Sequence, residues 1–68
     1  MQTLNLLPAY GRNYRSKAAV LKDWQDGKDF TLYGTYCSIR DKASFQQRGY
    51  THVEFYSKEG RFLTIQPL

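Results

Sequence analysis

Between Pro8 and Lys22 the chain interleaves rings with cations: Tyr10, Arg12, Tyr14, Arg15, Lys17 and Lys22. Tyrosine rings stack on unpaired bases while Arg and Lys neutralise phosphates, so these residue types in this pattern suit nucleic acid. Ser16 adds a hydroxyl at what reads as a helix start, where free backbone N–H groups favour an anion. The candidate nucleic-acid or anion site is therefore Tyr10, Arg12, Tyr14, Arg15, Ser16, Lys17 and Lys22. A plainer alternative stands beside it. Tyr10 and Tyr14 would pack under the loop against Trp24, leaving the cations as solubility groups. No RRM, KH, zinc-finger or helix-turn-helix signature accompanies the run.

Other chemistry finds less support. Cys37 and His52 are the only soft metal ligands, whereas a structural zinc site needs four. A Cys37/His52 nucleophile pair would need a third, orienting group and a lowered thiol pKa, and a strand cysteine is more often a small core residue. Neither a Walker-type nor a dinucleotide-type glycine loop is present. Asp23 and Asp26 fall three apart on one helix side, but no apolar pocket is implied that would raise either pKa. The reading is of a non-catalytic binding protein with no catalytic residue, no metal and no cofactor.

The elements that must position these residues are legible in outline. Val20, Leu21 and Trp24 form an apolar stripe behind a Ser16 N-cap, and Gly27 suits a left-handed stop, which predicts a helix over about 16–26. Arg12, Arg15 and Lys17 at its start and Asp23 and Asp26 near its end oppose the helix dipole, each at about 0.3–1 kcal/mol. Thr3 to Leu7, with Leu4 and Leu6 on one face, reads as a strand ended by Pro8. Asp29 to Cys37 alternates as a second strand, interrupted at Gly34 by a bulge or bend. A short helix over about 41–48 would be capped by Asp41 and anchored by Phe45. Tyr50 to Ser57 and Arg61 to Gln66 form a hairpin turning at Lys58-Glu59-Gly60, with Val53, Phe55, Leu63 and Ile65 inward. His52, Glu54 and Tyr56 point outward. The expected fold is a single small α+β domain spanning 1–68. Its sheet is mostly antiparallel, of three or four strands, with the main helix packed on it.

Length and charge bound the rest. Sixty-eight residues bury a thin core, which the 11 aromatics reinforce, and which leaves room for a homo-oligomer. The net charge of +4 arises entirely in residues 1–22, which hold four cations and no acid. That asymmetry points to nucleic acid or an acidic protein surface as partner. A lone cysteine fits a reducing compartment. There is no leader-like segment and no apolar run near the ~20 residues of a membrane span, so a cytoplasmic location and no membrane partner are expected.

The run Leu7-Pro8-Ala9-Tyr10-Gly11-Arg12, followed by Tyr14, Ser16-Lys17, Ala19-Val20, Asp23-Trp24 and Gly27-Lys28-Asp29-Phe30, resembles the N-terminal segment of a group of small, mostly phage-encoded proteins of uncharacterised activity. Asn13 stands where that group usually has Asp, and Arg15 where it usually has Lys. The resemblance implies a product acting in the cytoplasm of an infected bacterium, and implies no reaction. It frames a second functional reading: an inhibitor or adaptor docking on a host or defence protein. Exposed aromatics of the sheet, Tyr33, Tyr36 and Tyr56, would be the interface, with a basic rim.

Overall fold

The computed structural model describes residues 2–32, the backbone of 35–37, and 42–68. The elements are β1 (Gln2–Pro8), α1 (Lys17–Gln25), β2 (Phe30–Leu32), β3 (Thr35–Cys37), α2 (Lys42–Gln47), β4 (Tyr50–Tyr56) and β5 (Phe62–Pro67). The strands form one sheet in the order β3-β2-β1-β4-β5, so the N-terminal strand lies at its centre. β1 runs parallel to β4, with Leu4 opposite Val53 and Leu6 opposite Phe55. The other three pairings are antiparallel. The chain is thus an α+β domain with a mixed, mostly antiparallel sheet.

Asp29 to Cys37, expected as one interrupted strand, is a hairpin. Leu32 pairs with Thr35 and Phe30 with Cys37, so the chain reverses between Leu32 and Thr35 and the stretch contributes two short strands. Tyr33, Gly34 and Asp41, the expected cap of α2, lie outside the described residues.

Alternation in β1 puts Leu4 and Leu6 on one face, at 3% and 2% exposure, where they meet Val53 and Phe55 of β4. On its own α1 would be marginal at this length, so docking must hold it. Val20 is fully buried in the core. The Trp24 ring stands edge-on to Phe55 at 5.2 Å and to Phe30 at 6.1 Å, and Phe30 meets Phe55 at 5.2 Å. Such aromatic pairs add ~0.5–1.5 kcal/mol each beyond area burial. The helix begins as expected, with the Ser16 Oγ accepting from the Ala19 N–H at 3.3 Å. It stops at Gly27, whose φ of 76° only glycine adopts cheaply. Phe45 anchors α2, edge-on to Tyr50 at 5.8 Å, and the Lys42 ammonium sits 4.8 Å over the Trp24 ring.

One side-chain assignment is corrected. Ile65, expected inward, stands on the opposite sheet face and is 38% exposed. The register explains it. Tyr56 pairs with Phe62 but Phe55 pairs with Thr64, leaving Leu63 as an extra residue in β5. A β-bulge of this kind reverses the alternation along the strand. Leu63 still packs against the core, whereas Phe62 and Ile65 share the open face with Glu54 and Tyr56.

Candidate nucleic-acid interface

The segment from Ala9 to Ser16 leaves the centre of the sheet and enters α1. It opens with a turn in which the Arg12 N–H donates to the Ala9 carbonyl at 3.0 Å. Gly11 takes a φ of 84°, as a type II turn demands at its third residue. A Cβ there would meet nothing, so backbone conformation alone asks for glycine. Tyr10, at the second position, projects a ring that is 103% exposed.

Arg12 and Tyr14 turn the other way. The Tyr14 ring is 5% exposed and stacks on Phe30 at 5.7 Å. Its hydroxyl donates to Asp23 Oδ2 at 2.5 Å and accepts from Arg12 Nη1 at 3.0 Å. Arg12 Nη2 donates to the Asp29 carbonyl, and the guanidinium lies 5.7 Å over the Phe30 ring and 3.6 Å from Asp23. Lys28 approaches the other Asp23 oxygen at 3.4 Å. Burial, reinforced by the bond to Asp23, pushes the Tyr14 hydroxyl up to about 12. Asp23 is held below the usual carboxylate range, chiefly by the Tyr14 hydroxyl and then by Lys28 and Arg12.

These contacts correct the expected site. The Tyr14 ring is in the core and has no face to offer a base, and Arg12 is spent on Asp23, Tyr14 and the Asp29 carbonyl. Tyr14 does pack, as the plainer alternative held, but on Phe30. The charges that oppose the α1 dipole are explained in part by the same cluster: Asp23, misplaced near the helix end, accepts from groups that the loop and Lys28 bring to it. Arg15, Ser16, Lys17 and Lys22 are exposed, as is Tyr10. Ser16 keeps its capping role.

The structure adds cations that no local pattern announces. The Asn13 Oδ1 accepts from the Lys58 N–H at 2.9 Å, and Asn13 Nδ2 donates to Glu59 Oε1 at 3.3 Å. These bonds tie the loop to the β4–β5 turn. The turn is itself braced by buried Ser57, whose Oγ accepts from the Arg61 N–H at 3.1 Å. Arg15 and Arg61 now flank a groove of about 360 Å³, with Tyr14, Ser57, Glu59 and Leu63 as its other walls. Lys58 joins Tyr10 and Gly11 around a neighbouring hollow of about 330 Å³. No protein-family model, curated protein or solved structure matches the chain.

Of the alternative interface, Tyr33 lies outside the described residues and only the backbone of Tyr36 is described, at a register position opposite Thr31. Tyr56 is half-buried. Its hydroxyl donates to Glu54 Oε1 at 3.1 Å and its ring meets Phe62 edge-on at 5.8 Å. Among the described residues, no three His, Cys, Asp or Glu side chains gather as a metal site, and no helix is long and apolar enough to cross a membrane.

Proposed function

We propose that this protein is a small non-catalytic binding module that engages nucleic acid, or a nucleoprotein, at the end of the sheet where β1 leaves and α1 begins. The observation that supports this reading is the convergence made by Asn13. Its two bonds bring Lys58 and Arg61 of the turn beside Tyr10 and Arg15 of the loop. Tyr10 is the one ring of this loop free to stack. Arg15, Lys58 and Arg61, with Lys17 and Lys22 along α1, are the phosphate contacts. Arg12 and Tyr14 hold the loop in shape and stay out of the contact list.

The test is fluorescence anisotropy of labelled single- and double-stranded DNA and RNA at low and moderate salt. Micromolar or tighter affinity is expected, falling with salt by ~0.7–0.9 log units per log unit for each phosphate neutralised. Binding that ignores salt, or none at low salt, removes the proposal.

A second reading keeps support from the open sheet face. Phe62 at 50% and Ile65 at 38% exposure stand there beside half-buried Tyr56. On this reading the protein is a phage-type inhibitor or adaptor in the host cytoplasm, and these side chains dock on a bacterial protein. Phe62→Ala with Ile65→Ala would then abolish capture of that protein, while Arg15→Ala with Arg61→Ala would only weaken it.

A further inference from the structure

We propose, resting on the nucleic-acid reading, that the site takes single-stranded nucleic acid in preference to duplex, and that Tyr10 makes the distinction by stacking on an unpaired base. The Tyr10 ring is 103% exposed, so both of its faces are open and the folded state gains nothing from burying it. Its backbone is nevertheless fixed. The turn closes through the Arg12 N–H on the Ala9 carbonyl, and Arg12 is itself clamped on Tyr14 and the Asp29 carbonyl. A ring held out on a braced turn is a stacking platform that needs little further ordering. Beside it lies the hollow of about 330 Å³, with Pro8 and Ala9 as apolar wall and Lys58 as its cation. That pairing suits a base joined to a phosphate.

Charge decides between the two forms of nucleic acid. The exposed cations beside Tyr10 are Arg15, Lys58 and Arg61, and Glu59 sets a carboxylate in the same groove as the two arginines. Glu59 is held below the usual carboxylate range, so it is ionised at neutral pH and offsets part of that charge. A duplex binds such a patch almost wholly through its phosphates, and it keeps its base faces stacked inside, showing only their edges. Three cations against one carboxylate give it little. An unpaired strand meets the same cations and adds a base face for Tyr10, a contact that every base can make.

The test uses the full chain and one labelled oligonucleotide of mixed sequence, alone and annealed to its complement, read by anisotropy at low salt. Phosphate density alone would favour the duplex, which carries twice the charge per length. The single strand is expected to bind about tenfold more tightly, within the range of one base–aromatic stack. Tyr10→Ala should remove that advantage, leaving duplex affinity and both salt slopes as they were, because the ring neutralises no phosphate. Tyr10→Phe should bind as the parent does. Arg15→Ala with Arg61→Ala should weaken both forms. A duplex bound as tightly as the single strand, a single-strand preference that survives Tyr10→Ala, or one lost in Tyr10→Phe overturns the stacking role and leaves the nucleic-acid reading standing. Failure of both forms to bind overturns both.

Discussion

Tyr10 and Tyr14 belong to one loop, yet one ring is wholly in solvent and the other is 5% exposed. Arg12 and Arg15 divide in the same way, the first over Phe30 and bonded to Asp29, the second at the rim of an open groove. Residue type does not separate these pairs. What separates them is the turn at Gly11, which throws Tyr10 outward, and Asp23, which gathers Arg12 and Tyr14 inward. The inward pair carries stability and the outward pair is available for binding. An alanine scan that treated the loop as one patch would confuse the two.

Truncating the inward ring should have the largest effect. Tyr14→Ala is expected to cost about 3–5 kcal/mol, the range for a buried aromatic, and Tyr14→Phe about 1.5–3 kcal/mol, for a hydrogen bond to a charged group. Tyr10→Ala should stay within about 0.5 kcal/mol of the parent. Chemical denaturation followed by circular dichroism measures all three. Equal losses for Tyr10→Ala and Tyr14→Ala would end the distinction.

The inward cluster should also write itself into the pH dependence of stability. Tyr14 has its folded pKa raised to about 12 from 10.0, so the folded state keeps a proton that the unfolded state has lost. Its contribution is complete below pH 10 and fades as pH rises towards 12, by roughly 2 kcal/mol. Asp23 runs the opposite way. Its folded pKa is depressed, so its contribution is present above the unfolded carboxylate range and is lost as pH falls through the folded value. Tyr14→Phe should flatten the alkaline limb and Asp23→Asn the acid limb. A Tyr14→Phe variant that keeps the parent's alkaline decline would assign that decline to another group.

The fold was legible where local signals agree. A Ser16 cap, an apolar stripe through Val20 and Trp24, and Gly27 gave α1, and strict alternation gave β1 and β4. The central position of β1 was not legible, because its parallel pairing with β4 joins residues about fifty positions apart with no turn to announce it. Ile65 was misplaced because a bulge at Leu63 breaks period two without a glycine or proline to mark it. At the site, the basic excess and exposed Tyr10 were visible, but the fate of Arg12 and Tyr14 depends on Asp23, a helix away. Lys58 and Arg61 entered only because Asn13 reaches across to the turn.

That reach is the next point of attack. Asn13→Ala removes two exposed hydrogen bonds, so about 1 kcal/mol of stability should go, together with the fixed spacing of Arg15 and Arg61. Affinity for nucleic acid should fall although no cation has been removed. Asn13→Asp keeps an acceptor for the Lys58 N–H but sets a second carboxylate beside Glu59, so its penalty should shrink as salt screens the pair. A Asn13→Ala variant with unchanged affinity would mean that the two cation groups act independently.

The smallest effect on stability should belong to Arg15→Ala, and it sharpens the comparison most. Arg15 is exposed, so denaturation midpoints should move by no more than about 0.5 kcal/mol allows. Its loss should nevertheless lower affinity for every nucleic-acid sequence and reduce the salt slope by about one, the mark of a single phosphate contact. Arg12→Ala should show the converse, a clear loss of stability with the salt slope kept in whatever fraction remains folded. If instead the slope drops for Arg12→Ala and not for Arg15→Ala, the inward guanidinium must swing out on binding. The Asp23 cluster would then be a latch that binding opens and not a fixed brace.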